Sequence, residues 1–106
     1  MPKYAWTLNI KPECIDEYVN MHMNPWPGIA EKHKEAGFQN LSVFQNGLQC
    51  FYVFECEPEN VGKAFAFMEN DEDCKKWTNV TSKMVDGGFD FNQDEPFKFM
   101  REIFKY

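Results

Sequence analysis

Basic residues are scarce in this chain, and those present do not cluster. Eleven Lys and Arg stand against seventeen Asp and Glu in 106 residues, a formal net charge of −6. Nucleic-acid binding draws its affinity from grouped Lys and Arg that displace counterions, so no nucleic-acid partner is expected. An anionic membrane attracts basic segments, not an acidic chain. The negative excess favours solubility instead. Long apolar runs are also lacking, which argues against a membrane-spanning helix. Met1-Pro2-Lys3-Tyr4 runs directly into strand-like sequence, with no apolar stretch of the signal-peptide kind. Cys14, Cys50, Cys56 and Cys74 form no CxxC pair, and they read as reduced thiols, mostly in the core, of a cytoplasmic protein.

Chemical motifs are equally sparse. No GxGxxG, P-loop or GxSxG occurs, which removes the common dinucleotide, nucleotide and serine-hydrolase signatures. The two histidines, His22 and His33, are separated by a proline break, and no cysteine has a partner at metal-ligand spacing, so no metal site is expected. There is no internal repeat and no low-complexity segment.

Aromatic residues are what the chain has in quantity: eleven Phe, four Tyr and three Trp. They give one compact domain over 1–106 enough large side chains to build a core. Tyr4, Trp6, Leu8 and Ile10 alternate with Ala5, Thr7 and Asn9, the period of a strand with one buried face. Pro12 and Glu13 open a helix whose Ile15, Tyr18, Val19 and His22 share one face. Asn24-Pro25-Trp26-Pro27-Gly28 breaks it. A second helix runs from near Pro27 to about Ala36 and ends at Gly37. Leu41–Phe44 and Gln49–Glu55 read as strands joined at Asn46-Gly47, the second of them apolar throughout and central. Helices follow from Pro58 and over about 73–84, then a loop over 86–96 and a last strand from Phe97 to Phe104. The order β-α-β-β-α-β predicts an α+β, ferredoxin-like fold: a four-stranded antiparallel sheet with helices on one face. The open sheet face suits burial in a dimer.

Histidine is the natural acid–base group near neutral pH. His33 lies in the charged run Glu31-Lys32-His33-Lys34-Glu35, which predicts a solvated helix face. His22 lies on an apolar helix face, where position alone fits a hydrogen-bonded core residue. Tyr18 one turn earlier brings a second polar tip into the same space, and the bend places the Trp26 indole nearby. An imidazole, a phenol and an indole around one cavity suit a sugar. The acidic stretches Glu69–Asp73 and Asp94-Glu95 read as solvated loops. Arg101, the only arginine, reads equally as a pocket residue or a structural ion pair.

The segment Ile15-Asp16-Glu17-Tyr18-Val19-Asn20-Met21-His22-Met23-Asn24-Pro25-Trp26-Pro27 resembles the first-helix signature of the L-rhamnose mutarotase family, an E-Y-x-x-x-H closely followed by W-P. Gly37 with Asn40, the run Asp73-Cys74-Lys75-Lys76-Trp77, and Phe99-Met100-Arg101-Glu102-Ile103-Phe104 resemble three weaker family stretches, in the right order. The resemblance implies a cytoplasmic homodimer without cofactor, an aldose mutarotase that interconverts the anomers of a deoxyhexose such as L-rhamnose or L-fucose. It implies His22 as the proton-transferring residue and Tyr18 and Trp77 as substrate contacts, with Trp26 beside the site. Leu41 stands where the family often has a sugar-touching aromatic, and Thr78 follows Trp77 where a second tryptophan is common. Two other readings remain: a ferredoxin-like haem-binding protein or cofactor-free oxygenase, with His22 as a haem ligand, and a non-catalytic sugar-binding module.

Overall fold

The alternation in the first ten residues sets the floor of the molecule. In the computed structural model, which describes residues 1–89 and 97–106, Lys3–Asn9 forms β1. Trp6 is buried and Tyr4 and Leu8 are half-buried on one side, while Thr7 and Asn9 are exposed on the other. A single 3-10 turn, Pro12–Cys14, then leads into α1 (Ile15–Met23). Pro12 therefore opens a short turn ahead of the α-helix proper. Asn24 leaves the helical region at φ −132°, ψ 69°, as expected for a residue that precedes a proline.

Helix α2 (Ile29–Ala36) is bracketed by two left-handed glycines, Gly28 at φ +83° and Gly37 at φ +119°. Gly37 and Phe38 donate their N–H groups to the His33 carbonyl. That cap turns the chain back and buries Phe38 beneath the helix.

Strands β2 (Gln39–Asn46) and β3 (Gln49–Glu55) follow. The hairpin forms as expected, one residue later than the Asn-Gly pair suggested. Asn46 pairs with Gln49, so Gly47 and Leu48 make the turn. Only Gly47 needs positive φ, at +60°. Helix α3 (Pro58–Asn70) and helix α4 (Glu72–Ser82) complete the layer over the sheet.

The sheet is antiparallel with strand order β1-β3-β2. The central position of β3 is as its apolar sequence predicts. Its two faces are not equally covered, however. Cys50 and Phe54 are buried under the helices, whereas Phe51 and Val53 on the far face are half-buried.

The expected fourth strand over 97–104 is not formed among the described residues. One isolated bridge joins Met100 to Ala5, with the Met100 N–H on the Ala5 carbonyl at 2.6 Å. Phe97 is buried, but Arg101 to Tyr106 are all exposed, with Ile103 82% and Phe104 80% accessible. Among the described residues these apolar side chains bury little surface, so little repays the entropy of ordering a longer ladder. The expected loop over 86–96 is described only as far as Phe89; Asp94 and Glu95 lie outside the described residues.

Two apolar clusters fill the space between sheet and helices. One gathers Trp6, Phe38, Phe54, Ala64, Phe65, Met68 and Phe97. The other gathers Ile10, Tyr18, Met21, Ile29, Trp77 and Val85. All four cysteines are free thiols, and Cys50, Cys56 and Cys74 are buried. Burial pushes the Cys74 thiol up to about 12, with the neighbouring Asp71 adding to it. Among the described residues, no helix is long and apolar enough to cross a membrane.

Candidate active site

A cleft opens between the sheet and the helices, lined by members of both apolar clusters. The floor comes from Trp6 and Leu8 on β1, Leu41 on β2 and Tyr52 on β3. The walls come from Tyr18 and His22 on α1, His33 on α2, and Trp77, Thr78 and Thr81 on α4.

The polar centre of the cleft is a chain of three side chains. The His22 Nδ1–H donates to the Tyr18 carbonyl at 2.7 Å. A carbonyl only accepts, so Nδ1 carries the proton and Nε2 of the neutral ring holds a lone pair. The Tyr52 hydroxyl donates to that lone pair at 3.2 Å. The Tyr18 hydroxyl in turn donates to the Tyr52 oxygen. Burial holds the His22 imidazole below its ordinary value; its contact with the Tyr18 carbonyl opposes this, and His33 adds to it. Burial also raises the phenols of Tyr18 and Tyr52 above their ordinary values. The arrangement holds one neutral base and two phenols that resist ionisation, which is suited to moving protons at neutral pH.

Aromatic packing fixes these groups. Tyr18 and His22 rings lie 4.4 Å apart, and Trp77 meets His22 edge-on at 5.6 Å. Trp6 stacks on Tyr52 at 5.0 Å and 10°, directly opposite it in the β1–β3 register. Phe97 stacks on Trp6 at 4.5 Å. The Trp6 indole Nε1 is a buried polar atom with no hydrogen-bond partner among the described residues. The buried Thr81 hydroxyl is satisfied locally by the Trp77 carbonyl at 3.0 Å.

Of the residues singled out from sequence, His22, Tyr18, Trp77 and Leu41 come together in the cleft. Trp26 does not line it. This indole is 37% exposed at the bend and stands perpendicular to Trp77 at 5.1 Å, so it braces the cleft from outside. Arg101 lies exposed in the C-terminal segment, away from the cleft.

Two readings are corrected and one site residue is added. His33 is no solvated-face residue. It is half-buried and lines the cleft, its Nδ1–H on the Ile29 carbonyl at 2.8 Å and its ring 6.1 Å from Phe38. Burial lowers its pKa as well. The charged neighbours in sequence hid this, because a helix shows different faces to successive residues. Tyr52 was not singled out at all. Its signal was a lone hydroxylated ring on the inward period of an apolar strand, between Cys50 and Phe54.

The acidic stretch before Cys74 is not merely a solvated loop. Asp71 caps α4 by accepting the Cys74 N–H at 3.1 Å. Asp71 and Asp73 both pair with Lys32 at 3.0 Å. The Cys74 N–H, and then Lys32, hold the Asp71 carboxyl below its usual range. These contacts tie α2, which carries His33, to the start of α4, which carries Trp77.

No group of three or more His, Cys, Asp or Glu side chains suited to a metal ion occurs among the described residues. The cleft is aromatic, with a neutral imidazole and two phenols at its polar centre.

Comparison with known proteins gives the same class. A family model described as L-rhamnose mutarotase matches residues 3–106. An L-rhamnose mutarotase of Tolumonas auensis is 34% identical over 79 residues, 73% of each chain. One from Pectobacterium carotovorum is 32% identical over 88 residues, 80% of this chain and 81% of the relative. The crystal structure of an L-rhamnose mutarotase from Formosa agariphila superposes with a TM-score of 0.72, covering 100% of this chain and 99% of that one at 17% identity, which supports the fold. These matches make the chain a sugar mutarotase, an isomerase that interconverts anomers, and set aside the haem-binding, oxygenase and non-catalytic alternatives. It belongs to the L-rhamnose mutarotase family.

Proposed function

We propose that His22 carries the proton in anomer exchange, and that the sugar is L-rhamnose or a similar deoxyhexose such as L-fucose. The observation that carries this reading is the half-buried His22, neutral and joined to two phenols at the wall of an aromatic cleft. The names of the relatives supply the sugar class.

Mutarotation opens a cyclic hemiacetal, rotates the aldehyde and closes it on the other face. A proton leaves the anomeric oxygen and a proton reaches the ring oxygen. His22 acts as base in opening and returns the proton as acid. Tyr18 hydrogen-bonds a sugar oxygen, and Trp77 and Leu41 contact the apolar ring faces. His33 accepts a hydrogen bond from a sugar hydroxyl at its Nε2, while its Nδ1–H is tied to the Ile29 carbonyl. Trp26 supports Trp77. No cofactor enters this scheme.

Saturation exchange between anomers, read by NMR over a panel of deoxyhexoses, tests the reading. His22→Gln is expected to lower the enzyme-catalysed rate by about 10²–10⁴-fold, the contribution of a positioned acid or base. A His22→Gln protein that exchanges every sugar at the wild-type rate refutes the assignment.

The far sheet face carries half-buried Phe51 and Val53, with Phe44 60% exposed. Together with the exposed Ile103 and Phe104 it forms apolar surface that a second copy of the chain covers, as a cytoplasmic homodimer. The Met100–Ala5 bridge is the beginning of the fourth strand of the ferredoxin-like plan, extended when the partner packs against it. Sedimentation equilibrium checks this; a monomer at tens of micromolar contradicts it.

A further inference from the structure

His22 has no free ring nitrogen. Its Nδ1–H is held by the Tyr18 carbonyl, and its Nε2 lone pair is taken by the Tyr52 hydroxyl. A proton cannot pass straight between His22 and a sugar in this arrangement. It must cross Tyr52, or Tyr52 must move aside.

Tyr52 is poorly placed to move aside. Its ring is stacked on Trp6, and Trp6 is itself stacked on Phe97. Its backbone is in the central strand, paired on both edges with Trp6 and Val43.

The hydroxyl's own capacity is informative. A phenol has one proton and two lone pairs. The Tyr52 proton goes to His22 Nε2, and one lone pair accepts the Tyr18 hydroxyl. One lone pair is left, on a residue that lines the cleft.

We propose that Tyr52 is a catalytic residue of anomer exchange, its hydroxyl passing the proton between the anomeric oxygen and His22 Nε2. The proposal rests on the assignment of His22 as proton carrier. In opening, the anomeric O–H donates to the remaining Tyr52 lone pair and its proton transfers there. The Tyr52 proton moves at the same time to His22 Nε2, giving imidazolium. The bond between the anomeric carbon and the ring oxygen breaks, its electron pair goes to the ring oxygen, and the carbonyl forms. The imidazolium proton then returns outward through Tyr52 to the ring oxygen. Both oxygens are bonded to the same carbon before opening, so one hydroxyl reaches either. Closure after rotation runs the same steps backwards, and no other reactant is needed. Tyr52 stays neutral throughout, which agrees with the high cost of a phenolate at this buried position.

The test is Tyr52→Phe, which keeps the ring on Trp6 and removes only the oxygen. The expected result is a fall in kcat for anomer exchange of roughly 10²-fold, with KM within about threefold. Rates in mixtures of light and heavy water give a second readout. Two protons in flight bend the wild-type dependence on deuterium fraction into a curve, and Tyr52→Phe makes it a straight line. A Tyr52→Phe enzyme at the wild-type rate overturns the proposal, as does a straight wild-type line. The wild-type measurement stands even if the variant does not fold. His22→Gln measured alongside separates the two assignments. If His22→Gln is as fast as wild type, the His22 reading fails and the relay with it. If His22→Gln is slow and Tyr52→Phe is not, only the relay fails.

Discussion

His22 and His33 hold matching places on two helices. Each lies in the last turn of its helix, and each donates its Nδ1–H to the carbonyl four residues earlier. Each is half-buried, lines the same cleft and has its pKa lowered by burial. They differ at Nε2. That of His22 is engaged by Tyr52, which is engaged by Tyr18. His33 has a phenylalanine, Phe38, as its ring neighbour. Local helix geometry thus fixes the tautomer of both rings, and the residues across the cleft decide what each ring can do. A base wired to two phenols can store and return a proton; a base without such a relay can accept a hydrogen bond from whatever binds.

The comparison breaks most visibly in kinetics. His22→Gln is expected to remove nearly all the enzyme's acceleration, as given above. His33→Leu is expected to raise KM about threefold to tenfold, the worth of one net hydrogen bond, and to leave kcat nearly unchanged. If His33→Leu lowers kcat as far as His22→Gln does, the two rings share the proton chemistry and the distinction fails. Steady-state exchange rates over a range of sugar concentrations separate these cases.

A smaller effect lies in stability. Both imidazoles are depressed in the folded chain relative to the ordinary value of 6.5. The unfolded chain therefore takes up protons first as pH falls, and folding weakens. Their contribution is fully present above about pH 6.5 and is lost as pH drops through the folded values. The melting temperature is expected to fall between pH 7.5 and pH 5, and the fall to be shallower in His22→Gln and in His33→Gln. A wild-type melting temperature that does not change over this range contradicts the burial argument for both rings.

The legible parts of the site were those written in local periodicity. Tyr18 and His22 stand one turn apart, so their meeting follows from helical geometry alone. The bend at Pro25–Pro27 and the Gly37 cap follow from residues that leave few backbone choices. His33 was misread because its flanking charges describe the helix's outer face, while its own direction depends on where the sheet lies. Tyr52 was missed because an inward tyrosine in an apolar strand reads as core until its hydroxyl's partners are known. The strand expected over 97–104 has good strand composition, and Phe97 and Phe99 do pack on Trp6, but from Arg101 onward the segment is exposed and, among the described residues, no ladder extends past the Met100–Ala5 bridge. Asp71 and Asp73 read as loop charges because Lys32, their partner, is about forty residues away in sequence.

By itself the sequence determined the first three strands and the helices in their order, the inward faces of β1 and α1, and the pairing of Tyr18 with His22. These depend on contacts between residues a few positions apart, where backbone geometry leaves little freedom. Only the tertiary structure decided that Tyr52 would close the circuit on His22 and that His33 would face the same cleft. Those contacts join residues from different elements, 30 positions apart for Tyr52 and His22, and their geometry is set by how helices seat on the sheet.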